Sequence, residues 1–239
     1  MIAYEAFNMT TFPLHTTSHT TTHIPFVHRL RQPLVASNHP PVLLLLHGVG
    51  ANEDSLAALA ATLDPRLLII LVRAPIQLGA HQYGFFNVNF SAAGPVIHAE
   101  QAEQSRQELI SFIQMLPEIY SIDPKRVWIA GFSQGGIMSA SVALSSSGLV
   151  AGFGILSGRI LPEIKPVLTD SISLSQLHAF VSHGVSDSKL GIHFGRASEQ
   201  LLQGLGVPVS YHEYDADHEV TQDMAQDFGR WISAQIHPE

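Results

Sequence analysis

The chain has 239 residues, of which 46% are hydrophobic and 13% are charged. This length and balance predict one folded domain with a sizeable core and exclude a disordered chain. The formal net charge of −8 argues against nucleic acid as a partner, and the absence of cysteine excludes disulfides, thiolate metal sites and cysteine nucleophiles.

The N-terminal residues 1–23 are rich in threonine and histidine and carry few core-forming side chains. His15, His19 and His23 recur every four residues, which would align three metal ligands on one helix face. Because threonine-rich sequence resists helix formation, we interpret the segment as a flexible polar tail before a single domain at 24–239. With neither a signal-peptide pattern nor an apolar run of ~20 residues, we expect a cytoplasmic protein without a transmembrane segment.

Apolar runs and helical spacing alternate along the rest of the chain. Most predicted strands are continuous apolar runs, which indicates an α/β protein whose mainly parallel sheet is covered by helices on both faces. Pro117 is expected to kink its helix or end it early. In chain order the sequence predicts strands at 26–30 and 42–47, a helix at 55–63, a strand at 67–73, a long loop at 79–94, a helix at 100–120, a strand at 127–132, a helix at 134–145, strands at 150–156 and 177–183, a helix at 191–205, a strand at 207–214 and a helix at 219–236.

The most informative motif is Gly-Phe-Ser-Gln-Gly at 131–135, between an apolar strand and a helix of small residues. In that context G-x-S-x-G predicts a nucleophile elbow, a sharp turn that exposes the hydroxyl of Ser133. Glycine is required on both sides because a Cβ at either position would collide with the neighbouring strand or helix. An ordinary helix N-cap is the alternative role for Ser133, but it leaves the two glycines and the strand unexplained.

A serine nucleophile needs a base, and the base needs a carboxylate that orients it. In a parallel sheet such groups gather at the carboxyl ends of strands. Asp187 follows the predicted strand at 177–183, and His218 follows the one at 207–214. The order Ser133, Asp187, His218 is the one expected of an α/β-hydrolase.

Each assignment has an alternative. Asp187 is also placed to cap a helix near 189–191, and His218 could be a mere surface residue. Asp215 and Asp217 compete as the acid, but both share the short loop of His218, whereas the acid normally comes from a different loop.

Other histidines are interpreted as structural. We expect His183 to support the Asp187 loop and His47 to shape the turn that ends an early strand. The main-chain N–H groups of that turn and of Gln134, at a helix N-terminus, are placed to bind one carbonyl oxygen. No metal is expected, because Gln222 stands where H-E-x-x-H would require a second histidine after His218.

These residues together resemble the phospholipase/carboxylesterase group of α/β-hydrolases, which includes bacterial carboxylesterases and acyl-protein thioesterases. The resemblance implies an α/β-hydrolase fold and a cofactor-free serine esterase with the triad Ser133, Asp187 and His218. It also implies an oxyanion hole formed by the main-chain N–H groups of Val49 and Gln134. The likeness covers about 26–236 and rests on Leu46-His47-Gly48-Val49-Gly50, Arg73-Ala74-Pro75, the 131–136 motif, Leu156-Ser157-Gly158, His183-Gly184-x-x-Asp187 and His218-Glu219.

The sequence departs from the family pattern after the acid, at 188–191, and in the aromatic segment at 82–86. We expect a carboxylesterase or lysophospholipase-like enzyme without a large cap domain that acts on a small-molecule or lipid-like acyl ester. An acyl-protein thioesterase, an acyltransferase and a non-catalytic binding protein on the same fold remain alternatives. Tyr83, Phe85 and Phe86 are predicted to form the pocket wall, and the alternative is that half or more of them belong to the core. Exposed apolar residues near Phe85-Phe86 would support a homodimer.

Overall fold

The computed structural model describes residues 26–91 and 94–236, so the predicted N-terminal tail and its three histidines lie outside the described residues. Seven strands of the described chain form one sheet, and the other four form two small hairpins. The strands are β1 His28–Arg31, β2 Val42–Leu46, β3 Leu68–Val72, β4 Ile76–Gly79, β5 Gln82–Gly84, β6 Val88–Ser91, β7 Gly94–Ile97, β8 Val127–Phe132, β9 Gly152–Leu156, β10 His178–Gly184 and β11 Val209–Tyr214.

The strand order in the main sheet is β1-β3-β2-β8-β9-β10-β11. β1 pairs antiparallel with β3, and every other pairing in this sheet is parallel. The predicted α/β-hydrolase class, with a mainly parallel sheet, helices on both faces and no large cap, is confirmed. The α-helices are α1 Ala57–Thr62, α2 Ala99–Tyr120, α3 Gln134–Ser145, α4 Ser171–Leu174, α5 His193–Gly204 and α6 Gln222–Gln235.

Two apolar cores form because successive strand residues point to opposite faces of the sheet. All five side chains of β2 are buried, with Leu44 in one core and Leu43 in the other. Helices α2, α3 and α5 contribute buried residues to the first core, and α1 and α6 contribute to the second. Burial on both faces explains why the central strands are continuous apolar runs.

The predicted loop at 79–94 is wrong in part, because this region contains the hairpins β4–β5 and β6–β7. Strand β5 also pairs through Tyr83 with Ala51, next to the turn after β2. Strands of three or four residues are too short to show a clear alternation of apolar and polar side chains, so the sequence pattern does not reveal these hairpins.

Helix α2 does not end early at Pro117 but continues to Tyr120. The buried residues Phe112, Ile113 and Leu116 hold its last turns against the first core. Their packing therefore outweighs the helix-breaking cost of the proline, which is about 3 kcal/mol. Within the described ranges, none of the helices combines the length and apolar character required to cross a membrane.

Candidate active site

Ser133 lies in the turn between β8 and α3 with a φ of 54°, a left-handed conformation that is strained for serine. A Cβ on Gly131 would lie 2.4 Å from the carbonyl carbon of Gly135, and one on Gly135 would lie 2.0 Å from the carbonyl oxygen of Leu46. Both glycines are therefore dictated by the close approach of α3 to the sheet. The strained turn presents the hydroxyl of Ser133 at the carboxyl end of the sheet.

His218 lies on the loop between β11 and α6 and directs its ring toward the elbow. Its Nε2 is 2.8 Å from Oγ of Ser133. The ring of Phe132 packs against the imidazole with 4.8 Å between ring centres. The structure therefore brings these two predicted residues into direct hydrogen-bond contact across 85 positions of sequence.

Asp187 completes this chain of contacts from the loop after β10. Its Oδ2 is 2.8 Å from Nδ1 of His218, and its side chain is fully buried. Its Oδ1 accepts hydrogen bonds from the N–H groups of Lys189 at 2.9 Å and Leu190 at 2.7 Å. One oxygen of Asp187 therefore caps the following turn while the other faces His218.

The two carboxylates that compete with Asp187 as the acid are both exposed. Asp217 is exposed, and its Oδ1 accepts a hydrogen bond of 2.7 Å from the N–H of Ser188. This hydrogen bond holds the pKa of Asp217 below its ordinary value. Asp217 thus braces the Asp187 loop from outside, and Asp215 is exposed.

His183 is fully buried under the same loop. Its Nε2 donates to the carbonyl oxygen of Leu190 at 2.5 Å and lies 3.4 Å from Oδ2 of Asp187. Burial lowers the pKa of His183, against the opposing effects of that carbonyl and of Asp187, so the ring is held neutral. These contacts agree with the structural role predicted for His183.

The turn after β2 packs directly on the elbow. A Cβ on Gly48 would lie 3.3 Å from Cβ of Ser133. Val49 and Gln134 border the same small pocket as Ser133, and neither main-chain N–H has a hydrogen-bond acceptor within the described residues. Two free donors therefore lie beside the hydroxyl, one of them at the N-terminus of α3, where the helix dipole favours negative charge.

His47 fixes the shape of this turn. Its Nε2 accepts a hydrogen bond of 3.0 Å from the N–H of Ala74, so Nδ1 carries the proton and donates to the carbonyl oxygen of Gly48 at 2.7 Å. Burial lowers the pKa of His47, which agrees with a neutral ring. The predicted turn-shaping role matches this geometry.

An ion pair that was not predicted from the sequence involves Glu53, three residues after Gly50 of this turn. The guanidinium of Arg73 binds both oxygens of Glu53, at 2.7 and 2.5 Å, and lies over the ring of Tyr83. Burial alone would raise the pKa of Glu53, but these hydrogen bonds outweigh it and hold the pKa below its ordinary value. Tyr83 therefore contacts Arg73 and does not line the pocket at Ser133, although the sequence predicted it in the pocket wall.

The pocket beside Ser133 is largely apolar, and the predicted wall is correct only for Phe86. Phe85 and Phe86 are 0% and 1% exposed, so both side chains belong to the core and offer no exposed surface themselves. Apart from the turn and the elbow, the walls include Phe86, Val88, Ile97, Ile137, Arg159 and Leu190.

A model of the family described as phospholipase/carboxylesterase matches residues 34–236. The chain belongs to this family. The resemblance inferred from the sequence is thus confirmed. As a member of the phospholipase/carboxylesterase family, the protein is an enzyme that hydrolyses carboxylic ester bonds.

Relatives agree with this assignment. Acyl-protein thioesterase 1 of Gibberella zeae is 27% identical over 85% of the chain and 94% of its own length. The putative hydrolase MhqD of Bacillus subtilis is 26% identical over 82% of the chain and 94% of its own length. Among solved structures, the Bacillus cereus carboxylesterase superposes with a TM-score of 0.76 at 21% identity, over 87% of the chain and 94% of that protein, and so shows the shared fold.

Two features of this phospholipase/carboxylesterase site were not predicted from the sequence: the role of the Gln134 side chain and the presence of Arg159. Gln134 accepts at its side-chain oxygen from the N–H of Phe85 at 2.7 Å and donates to the carbonyl of Phe86 at 2.7 Å, which ties the pocket wall to the elbow. Arg159 lines the pocket directly after the Leu-Ser-Gly motif at 156–158. Its position just beyond the end of a central strand was the signal that could have revealed it.

Proposed function

We propose that this enzyme hydrolyses carboxylic esters through an acyl-enzyme formed on Ser133. The observation that carries the proposal is the continuous path of two 2.8 Å contacts from Ser133 through His218 to Asp187. An ionised carboxylate can only accept, so Asp187 holds the proton of His218 on Nδ1 and leaves Nε2 free to take the serine proton.

The reaction then proceeds in two halves. Oγ of Ser133 attacks the acyl carbon while Nε2 of His218 removes its proton, and the imidazolium returns that proton to the leaving alcohol oxygen. Water repeats the sequence on the acyl-enzyme: His218 takes a proton from water, which attacks the acyl carbon, and the proton returns to Ser133.

The oxyanion of each tetrahedral intermediate is bound by the main-chain N–H groups of Val49 and Gln134. Their place beside Ser133 and the lack of competing acceptors in the described chain support this role. One such donor contributes about 3 kcal/mol to transition-state stabilisation. The packing of Gly48 on Ser133 preorganises the loop before substrate arrives.

A burst experiment tests this function. With p-nitrophenyl acetate in excess, we expect one rapid equivalent of p-nitrophenol for each active enzyme, followed by slower turnover. Ser133→Ala should abolish both phases, whereas Ser188→Ala, which changes an exposed serine on the Asp187 loop, should retain them. An unchanged burst in Ser133→Ala would remove Ser133 as the nucleophile.

Thioester hydrolysis is a second candidate, because acyl-protein thioesterase 1 of Gibberella zeae is a relative over most of both chains. The same nucleophile and oxyanion donors serve both substrates. Comparing matched oxygen and sulfur esters of one acyl chain would separate the two preferences. A non-catalytic binding protein on this fold would not react with a fluorophosphonate. An acyltransferase would transfer the acyl group to an added alcohol in preference to water. The homodimer and the cytoplasmic location stay predictions.

A further inference from the structure

Arg159 is placed beside the nucleophile by the end of β9. The N–H of Ser133 donates to the carbonyl of Leu156 at 2.8 Å, and Ser157 turns the chain with a φ of 50°. A Cβ on Gly158 would lie only 2.9 Å from the main-chain oxygen of Ser133. The chain therefore passes directly against the elbow one residue before Arg159.

Helix α5 contacts Arg159 and its neighbour Ile160. The N–H of Ile160 donates to Oγ of Ser198 on α5 at 3.2 Å. The guanidinium of Arg159 lies over the ring of Phe194, on the same helix, with 4.9 Å between its central carbon and the ring centre. This cation–π contact restricts the side chain without neutralising its charge.

The guanidinium lacks the partners that a half-buried cation normally has. Its Nε is buried and has no hydrogen-bond partner, and within the described ranges no carboxylate lies at ion-pair distance from it. Burial lowers the pKa of Arg159 while the Glu163 carboxylate opposes the shift, and guanidinium remains charged at neutral pH. A desolvated cation with an unused donor is stabilised by any anion that reaches it.

The guanidinium of Arg159 lines the pocket that contains Ser133. Arg159 is the one charged side chain among the described residues that line the pocket at Ser133. The other walls are apolar or neutral, so they do not compete for an anion. The chain carries a formal charge of −8, and this local positive charge is therefore contrary to the general charge of the protein.

We propose that Arg159 is a specificity-determining residue that binds an anionic group, a carboxylate or a phosphate, carried by the ester substrate. The proposal rests on the proposed function, since it concerns the substrate of the same site. The planar guanidinium suits both anions, and the apolar walls would accommodate the carbon chain that links the anion to the scissile ester.

Two matched ester pairs test this preference. The acyl-side pair is the mono-p-nitrophenyl ester of adipic acid against p-nitrophenyl heptanoate, which has a similar length and no charge. The alcohol-side pair is the butyrate ester of meta-hydroxybenzoate against that of meta-hydroxyacetophenone. For at least one pair, we expect the wild-type ratio of kcat/KM, anionic over neutral, to fall about tenfold in Arg159→Met, as for loss of one charge-assisted hydrogen bond.

Controls separate recognition from folding and from net charge. Arg159→Lys should retain part of the anionic preference. Arg196→Met removes the same charge from an exposed residue of α5 that pairs with Glu213, and it should leave both ratios unchanged. In the wild type, added NaCl should lower kcat/KM for the preferred anionic ester more than for its neutral partner.

The outcomes are distinct. Unchanged ratios in Arg159→Met, equal losses on anionic and neutral esters, or a wild-type ratio without salt dependence would overturn the proposal while leaving the esterase intact. If Arg159→Met does not fold, the proposal is tested by the salt dependence of the wild-type ratio and by the anionic preference of Arg159→Lys. A wild type inert toward all four esters would instead overturn the proposed function and this inference with it.

Discussion

The side-chain oxygen of Gln134 accepts a hydrogen bond of 2.7 Å from the main-chain N–H of Phe85. Together with the bond from its amide nitrogen to Phe86, this contact joins the elbow helix to the segment between the two hairpins. Gln134 therefore acts twice, since its main-chain N–H borders the nucleophile while its side chain holds the pocket wall.

Gln134→Leu tests this link. The change leaves a buried N–H and a buried carbonyl without partners, so we expect the free energy of unfolding to fall by about 2–4 kcal/mol. Urea denaturation measures it. Gln104→Leu, on the exposed face of α2, should change stability by less than about 0.5 kcal/mol, and equal effects of the two substitutions would contradict the link.

Asp187→Asn and Asp217→Asn separate the two carboxylates that the sequence left in competition. Asparagine at 187 keeps an acceptor for the loop but loses the charge that fixes the His218 tautomer, so kcat should fall about 10³- to 10⁴-fold. Asp217 faces Ser188 instead, and Asp217→Asn should lower kcat by less than about tenfold. Steady-state kinetics on one p-nitrophenyl ester measures both values of kcat. A larger fall in kcat for Asp217→Asn than for Asp187→Asn would assign the catalytic acid to Asp217.

Gly135→Ala tests the close approach of α3 to β2. A Cβ 2.0 Å from the carbonyl oxygen of Leu46 cannot be accommodated without backbone movement, so we expect a loss of more than about 3 kcal/mol or no folded protein. Gly204→Ala meets no atom within 4 Å and should change stability by less than about 1 kcal/mol. Soluble yield and urea denaturation compare them, and a stable Gly135→Ala would show that the approach is looser.

The elbow was predictable because its constraint is local: two glycines and a strand leave one way for the chain to turn. Asp187 and His218 were predictable because parallel strands bring their carboxyl ends together. The pocket was not, since Phe86, Val88 and Ile97 lie in a region of short strands and turns that is more than 30 residues from Ser133 in sequence. The side-chain bonds that hold this region leave no periodic pattern.

Stability should depend on pH through the histidines whose pKa burial lowers, His28, His47 and His183. The unfolded chain takes up protons near the ordinary value of 6.5, whereas the folded chain does so only at lower pH. Stability is therefore complete above about pH 6.5 and is lost as the pH falls below it, by up to about 1.4 kcal/mol per pH unit for each histidine. Urea denaturation at pH 8, 6.5 and 5.5 measures the slope, and a flat profile would contradict the buried neutral histidines.

Activation of Ser133 by His218 can be measured by fluorophosphonate labelling followed by peptide mapping. We predict one adduct for each chain, located on Ser133, with labelling absent in Ser133→Ala and strongly slowed in His218→Gln. An adduct on another residue, or labelling of Ser133→Ala at the wild-type rate, would contradict the account.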